Sequence, residues 1–143
     1  MTESTDLAQQ LEDAYASYIE AFNSEDPEAF AGIYLYPYLE LGGAEPVTVF
    51  ADAEQAKSYL VASLQAMKDG GWASTTVDEA TGIPLAHNAG LLMVRVSQLG
   101  HDGSLLRTVQ VLYTLALAKG GWKFVSYVYM GDGFSLPLTA KDA

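Results

Sequence analysis

The two residues in this sequence whose side chains are best suited to catalysis are Tyr18 and Glu40. A carboxylate can remove a proton from the carbon next to a carbonyl if burial raises its pKa towards neutrality. A tyrosine hydroxyl can then donate a hydrogen bond to the enolate oxygen that forms. The sequence therefore offers Glu40 as a proton acceptor and Tyr18 as an oxyanion donor, provided that the fold brings both groups to one enclosed site.

Glu40 lies in a tyrosine-rich segment. In an extended strand Tyr36, Tyr38 and Glu40 share one face, because successive side chains alternate. The carboxylate would then lie beside aromatic walls with polar tips, which suit a flat apolar ligand. Leu39 and Leu41 occupy the opposite face, and if those two leucines face the core, Glu40 is a solvated surface acid. The sequence leaves both orientations open.

Polar residues at alternate positions of a long apolar strand predict a pocket wall, because burying them without partners is costly. We predict that Gln110, Leu112 and Thr114 face inward as the pocket floor, and that Tyr15 and Tyr59 also contact the ligand. In another interpretation Gln110 and Thr114 bond each other or a water. If the two faces are reversed, the cavity is lined by Val109, Val111 and Tyr113.

Composition excludes several classes of function. The 143 residues fit one domain, 1–143, and contain no cysteine. A net charge of −11, from 18 acidic and 7 basic residues, argues against nucleic acid and anionic membrane surfaces as partners. No apolar run approaches the length that spans a bilayer, so we expect a cytoplasmic protein. With no zinc-site pattern, nucleophile elbow or phosphate-binding glycine loop, we predict no metal and no cofactor.

Hydrophobic periodicity predicts helices in the first half of the chain and long strands in the second. The predicted helices cover 6–23, 26–34 and 52–69, with Asp26 and Asp52 as N-caps. Short strands are predicted at 38–41 and 47–50, and a turn at Gly82-Ile83-Pro84. The predicted long strands cover 72–80, 87–99, 105–117 and 122–130, with Gly131-Asp132-Gly133 ending the last one and an irregular tail after it.

This order predicts an α+β fold, in which a cone-shaped, curved and mostly antiparallel sheet wraps around three N-terminal helices. The pocket would lie on the concave face and hold a small apolar molecule. No helix is left in the sequence to cover the convex face, to which we assign one apolar row of the 105–117 strand. We therefore expect a homodimer through that face, closed by Val109, Val111, Tyr113 and Leu115.

Three segments resemble the nuclear transport factor 2-like superfamily: 18–26 (Tyr-Ile-Glu-Ala-Phe-Asn-Ser-Glu-Asp), 40–46 (Glu-Leu-Gly-Gly-Ala-Glu-Pro) and 120–126 (Gly-Gly-Trp-Lys-Phe-Val-Ser). That superfamily includes ketosteroid isomerases, SnoaL-type cyclases, dehydratases and many non-catalytic binding domains. The resemblance implies the cone fold and its pocket. It implies no single activity, because this fold hosts unrelated functions.

Within the superfamily, ketosteroid isomerases give the sharpest comparison. Tyr18 falls at the position of their oxyanion tyrosine, and Glu40 at that of their carboxylate base, six residues before Pro46. Their third group, a protonated aspartic acid, falls on Thr114, which cannot act as an acid of comparable strength. A supporting tyrosine would fall at or beside Tyr59. Two hypotheses stay open: an isomerase, cyclase or dehydratase, and a non-catalytic ligand-binding or protein-interaction module.

Overall fold

Three helices and a six-stranded sheet make up the fold in the computed structural model, which describes residues 3–43 and 45–131. The predicted α+β class, with its helices gathered towards the N-terminus, is confirmed. No helix in the described part of the chain is long and apolar enough to cross a membrane. In chain order the elements are α1 (Glu3–Asn23), α2 (Pro27–Ala31), β1 (Tyr34–Leu41), β2 (Val47–Phe50), α3 (Ala53–Asp69), β3 (Trp72–Ala86), β4 (Ala89–Gly100), β5 (Leu105–Ala118) and β6 (Gly121–Met130).

The strands form one open, mixed sheet in the order β2-β1-β6-β5-β4-β3. Strands β3 to β6 pair antiparallel with their sequence neighbours, as expected for consecutive long strands joined by tight turns. The parallel pair is β1 with β6, and it brings the tyrosine-rich segment of β1 beside the last strand. The residues around Glu40 therefore become part of the main sheet.

Both predicted helix caps form. The Asp26 carboxylate accepts hydrogen bonds from the Glu28 and Ala29 backbone N–H groups, and Pro27 occupies the first helical position. At the start of α3, the Asp52 carboxylate accepts the Gln55 backbone N–H at 3.0 Å. These caps satisfy N–H groups that have no partner within their helix, which explains why both starts could be located from sequence.

Two predicted boundaries are wrong. The predicted second helix continues to residue 34, whereas α2 ends at Ala31 and β1 begins at Tyr34, with a cis bond between Tyr36 and Pro37. The predicted turn at 82–84 lies inside β3 instead, and the chain turns at residues 87–88.

Gly82 and Pro84 fit inside β3 because this strand lies at the edge of the sheet. Pro84 has no N–H group to donate, and on the outer side of an edge strand no neighbouring strand requires one. Gly82 serves close packing, because its N–H donates to the Glu12 carboxylate at 2.9 Å and the Ala8 carbonyl leaves no room for a Cβ atom. The predicted turn at 131–133 and the tail after it lie outside the described residues, except for Gly131.

The face assignment of β5 is also wrong. Its odd-numbered row packs under α1 and is 2–5% exposed, so it forms the inner face of the sheet. The even-numbered residues Gln110, Leu112 and Thr114 lie on the outer face, where they are partly exposed. The Thr114 hydroxyl is 2.7 Å from the Ser126 hydroxyl of β6, which matches neither partner considered from sequence. The buried inner row is Val109, Val111, Tyr113 and Leu115.

This correction removes the predicted pocket floor and the predicted dimer surface, because the two rows exchange places. Ordinary alternation would place the row that contains Gln110 and Thr114 on the outer face, but the prediction took these polar residues as the wall of a pocket. The row that meets the helices includes Tyr113, whose ring lies 5.7 Å from Tyr15 and 5.5 Å from Tyr18 of α1. Dimerisation through the outer face stays a prediction, but the residues of β5 on that face are Gln110, Leu112 and Thr114.

The corrected face assignment predicts that lysine destabilises the fold much more at one of two neighbouring positions of β5 than at the other. Val111→Lys places a charge without a partner in the core and should cost about 3–5 kcal/mol of stability. Leu112→Lys removes a partly exposed side chain and should cost about 1 kcal/mol. Chemical denaturation of both variants measures the difference. Equal losses of unfolding free energy would contradict the assignment.

Candidate functional site

A cavity of about 290 Å³ lies between the helices and the inner face of the sheet. Tyr18 of α1 and Glu40 of β1 both line it, so the fold brings together the two residues that the sequence predicts as donor and base. Its volume is near the lower end for ligand pockets and suits a small molecule of one or two rings. The other lining residues are Phe22, Phe30, Tyr34, Tyr59, Leu60, Ser63, Ala66, Met67, Gln98, Arg107 and Tyr127.

The Glu40 carboxylate faces this cavity, which decides between the two orientations left open by the sequence. Glu40 is partly buried, and it pairs in the sheet with Thr48 of β2 and Tyr127 of β6. Leu39 is 37% exposed on the opposite face. Burial raises the pKa of Glu40, and a hydrogen bond from Tyr59 offsets part of that effect. A base with a raised pKa is better matched to proton transfer near neutral pH.

Tyr59 is the hydrogen-bond partner of the Glu40 carboxylate. Its hydroxyl donates to Glu40 Oε1 at 2.9 Å from one side of α3, while its ring packs 4.8 Å from that of Phe50. Burial first, and then the charge of Glu40, raise the pKa of Tyr59 to about 12. The hydroxyl therefore keeps its proton at neutral pH and holds one carboxylate oxygen in place.

Tyr18 lies at the centre of an aromatic layer. It is 7% exposed, and its ring stacks on Tyr15 at 5.5 Å and contacts Phe124 at 5.0 Å. Burial raises the pKa of Tyr18, and hydrogen bonds with Tyr113 and Tyr34 offset part of the increase. A neutral tyrosine polarised by neighbouring hydroxyls is a hydrogen-bond donor, which is the role predicted for it.

Of the three tyrosines of β1, Tyr34 lines this cavity, whereas Tyr36 and Tyr38 do not. Tyr38 is 1% exposed and stacks on Tyr34 at 3.9 Å, and its buried hydroxyl has no hydrogen-bond partner of good geometry among the described residues. The Tyr36 hydroxyl donates to the Ala31 carbonyl at 2.6 Å. The predicted row of Tyr36, Tyr38 and Glu40 is therefore wrong as a cavity wall. Burial along β1 does alternate, so the three residues share the inner face, but Tyr36 and Tyr38 lie outside the lining of this cavity.

A second, smaller cavity of about 90 Å³ lies between α1 and the inner face of the sheet. It shares Tyr18, Phe22, Gln98 and Tyr127 with the larger cavity. Tyr15 faces it, and a ligand role for Tyr15 stays a prediction. The reversed β5 assignment, considered above as the alternative, is the one observed, since the lining here includes Val109, Val111 and Tyr113.

Sequence reasoning missed four polar groups of the larger cavity, namely Ser63, Gln98, Arg107 and Tyr127. Gln98 and Arg107 are cross-strand neighbours, and Arg107 Nε donates to Gln98 Oε1 at 2.8 Å. Arg107 shares the inner parity of Val109 and Val111, which is a signal that the correct face assignment would have revealed. Within residues 3–43 and 45–131, no group of three or more histidines or acids is placed to hold a metal ion.

The raised pKa of Glu40 predicts how stability depends on pH. Its folded-state pKa exceeds that of the unfolded chain, so ionised Glu40 destabilises the fold. This cost appears as pH rises above about 4.3, the ordinary glutamate pKa, and is complete above the folded-state pKa. Glu40→Gln keeps an acceptor for Tyr59, so it should melt above wild type at pH 8, with the difference shrinking towards pH 4.

Thermal unfolding of Glu40→Gln between pH 4 and 8 measures this difference. Glu79→Gln on β3 is the matched control, because Glu79 is exposed and lies outside the cavity lining. The control should leave the melting temperature close to wild type throughout. A Glu40→Gln variant less stable than wild type at pH 8 would contradict a destabilising carboxylate.

Solved structures of low sequence identity share this fold. An NTF2-like protein with a cystatin-like fold from Novosphingobium aromaticivorans is 14% identical, with a TM-score of 0.71 over 89% of this chain and 83% of its own. A ketosteroid isomerase-like protein from Erwinia carotovora atroseptica is 15% identical, with a TM-score of 0.64 over 92% and 99%. The protein Aln2 from a Streptomyces species is 18% identical, with a TM-score of 0.72 over 92% and 95%.

Identities this low establish the fold alone. No curated protein matches the chain. A family described as "NTF2-like protein (DUF6841)" matches residues 8–131, which span α1 to the end of β6. The resemblance predicted from the three sequence segments is thereby confirmed, and the chain belongs to this NTF2-like family.

Proposed function

We propose that this protein binds a small, largely apolar carbonyl compound and transfers a proton at the carbon next to the carbonyl. Glu40 accepts the proton and Tyr18 donates a hydrogen bond to the carbonyl oxygen. The observation that carries the proposal is that both residues line one cavity while burial raises the pKa of Glu40. This combination joins a basic group and a hydrogen-bond donor in one aromatic-walled space.

The carboxylate is prepared for this role by its surroundings. Tyr59 occupies Oε1 of Glu40, which fixes the plane of the carboxylate and leaves Oε2 as the proton acceptor. Partial burial strips water from the carboxylate and so makes its charged form a stronger base. When the C–H bond breaks, its electron pair moves towards the carbonyl oxygen and the proton goes to Glu40, which can return it to the same or a neighbouring carbon.

The developing charge on the carbonyl oxygen needs donors that are already in place. Tyr18 is held rigidly by its aromatic neighbours, and its hydroxyl interacts with those of Tyr113 and Tyr34. A hydroxyl whose oxygen accepts hydrogen bonds from its neighbours is a stronger donor through its own O–H group. Because Tyr18 is packed against both Phe124 and Phe30, it loses little conformational freedom when a ligand binds.

The arrangement differs from that of ketosteroid isomerases in one respect. The position of their second oxyanion acid corresponds to Thr114, which lies on the outer face of the sheet and hydrogen-bonds Ser126. Tyr113, the neighbour of Thr114 on the inner face, has a hydroxyl that is a far weaker acid than a carboxylic acid, and burial raises the pKa of Tyr113 further. We therefore assign proton transfer on a smaller, more readily enolised ketone and not a steroid isomerisation.

Deuterium exchange tests the assignment. Wild-type protein in D₂O should exchange the hydrogens next to the carbonyl of 1-phenylpropan-2-one, whose CH₂ group is acidified by both the carbonyl and the phenyl ring, and NMR follows this exchange. Glu40→Gln should lower the exchange rate by about 10²-fold, the usual loss for a general base. Tyr18→Phe should lower it by a similar factor, because the enolate loses a donor. Affinity for the ketone should stay near wild type in the Glu40 variant.

The controls are Glu79→Gln on β3 and Tyr129→Phe on β6, whose side chains are exposed and lie outside the cavity lining. Both should exchange the ketone at the wild-type rate. If wild type binds the ketone without exchange above the buffer rate, or if the Glu40 and Tyr18 variants match wild type, the catalytic assignment fails. Ligand binding without turnover then becomes the preferred function.

We also propose that two copies associate through the outer face of the sheet. Met93, Leu112 and Val128 lie side by side on β4, β5 and β6, and each is partly exposed. This apolar strip supports a self-complementary surface about a two-fold axis. Sedimentation should show a dimer at roughly 10–100 μM, a range in which weak dimers are populated, and Leu112→Lys should shift it to monomer. A monomeric wild type would contradict this association.

A further inference from the structure

The inner row of β5 contains a positive charge near its N-terminal end, at Arg107. Alternate residues of a strand share one face, so Arg107 continues the row formed by Val109, Val111 and Tyr113. Those three residues are buried, whereas Arg107 is exposed where the row reaches solvent. A cation near the end of an otherwise apolar row stands at the point where a ligand would enter or project.

The guanidinium of Arg107 is held in a defined position. Gln98 is its cross-strand partner on β4, and Arg107 Nε donates to Gln98 Oε1 at 2.8 Å. This bond uses one of the five N–H donors of the guanidinium and leaves its terminal nitrogens for a planar oxyanion. Since the paired donors of arginine match the geometry of a carboxylate, the bond to Gln98 prepares the group for such a partner.

Arg107 stands at the junction of two openings. It lines the 290 Å³ cavity, and it also lines an adjoining depression of about 320 Å³ between α3 and the ends of β4 and β5. The two spaces share Gln98, Arg107, Ala66 and Met67. Arg107 is therefore a residue of the cavity mouth, on the route between the site of Glu40 and solvent.

Arg107 has no carboxylate partner among the described residues, as is also the case for Arg95, Lys119 and Lys123. The chain has 18 acidic and 7 basic residues. Lys57 pairs with Glu28 and Glu54, and Lys68 pairs with Glu25. Within residues 3–43 and 45–131, the ion pairs do not include Arg107. Among the described residues that line the 290 Å³ cavity, the charged ones are Glu40, near its aromatic wall, and Arg107, at its mouth.

We infer that the ligand is an amphipathic carboxylic acid, whose carboxylate binds Arg107 at the mouth while its apolar body fills the aromatic cavity. The negative charge of Glu40 repels the carboxylate of the ligand, and Arg107 attracts it, so the two charges orient the molecule along the cavity. Its uncharged carbonyl end is thereby directed to Glu40 and Tyr18. This inference rests on the proposed function for the carbonyl end only.

A matched pair of probes tests the carboxylate. The acid 4-oxo-4-phenylbutanoate contains an enolisable aromatic ketone and a carboxylate, whereas its methyl ester is neutral and of nearly the same shape. Wild type should bind the acid about tenfold more tightly than the ester by calorimetry, which is typical of a charge-assisted hydrogen bond. Arg107→Gln should remove this preference and leave the affinity for the ester within about twofold of wild type.

Arg95→Gln is the matched control, because Arg95 is an exposed arginine on β4 outside the cavity lining. This variant should keep the full preference for the acid. Raising the salt concentration should weaken binding of the acid to wild type and have little effect on binding to Arg107→Gln. Equal binding of acid and ester by wild type, no binding of the acid at millimolar concentrations, or equal losses for both probes in Arg107→Gln would overturn the inference.

The same probes separate this inference from the proposed proton transfer. If Glu40→Gln abolishes deuterium exchange while wild type shows no preference for the acid, the catalytic proposal stands and the carboxylate inference fails. If Arg107→Gln removes a clear preference for the acid while wild type exchanges no deuterium, the carboxylate site stands without catalysis.

Discussion

The packing of α1 against the middle of β5 is the contact on which the rest of the structure depends. Tyr15 and Tyr18 stack on each other and lie against Tyr113, which joins the helix to the sheet through three large rings. Aromatic pairs of this kind stabilise by about 0.5–1.5 kcal/mol beyond the area they bury. The contact also decides which face of the sheet is inner, and hence where a cavity can form.

Tyrosine in this layer gives the core a polar character at some cost. Burial raises the pKa of Tyr18, Tyr34 and Tyr113, so their hydroxyls stay neutral and must find partners among themselves. Within residues 3–43 and 45–131 the Tyr38 hydroxyl has no such partner, and an unpaired buried hydroxyl costs about 1–3 kcal/mol. A phenylalanine there would avoid this cost. Groups that reduce stability beside a cavity are typical of sites whose residues are retained for binding or chemistry.

The sequence predicts elements better than it predicts faces. Helix caps at Asp26 and Asp52 are local signals, and they locate α2 and α3 because the cap residue contacts backbone only two or three residues away. The inner face of β5 depends on α1, which is more than 80 residues earlier in the chain. The odd-numbered row of β5 is apolar from Val109 to Leu115, whereas the even-numbered row contains Gln110 and Thr114, and the local pattern does not say whether such polar residues face solvent or a pocket.

The same limit applies to the candidate site. Tyr18 and Glu40 could be named because residue type and family resemblance both indicate them, and the fold brings both to one cavity. Arg107 could not, since an arginine near a strand end usually indicates a solvated side chain. Its significance depends on Gln98 beside it and on the cavity beneath it, which are contacts across strands.

The overall charge of the molecule determines how Arg107 can act on a carboxylic acid. A net charge of −11 repels an anion at long range, and at physiological salt this repulsion is screened over about 8 Å. The repulsion slows the approach of the anion, whereas contact with the guanidinium begins only at the cavity mouth. Selectivity for a carboxylate therefore resides in slow dissociation from Arg107 and not in rapid capture. Long-range repulsion combined with a short-range attraction at Arg107 favours discrimination between ligands of similar shape over fast binding.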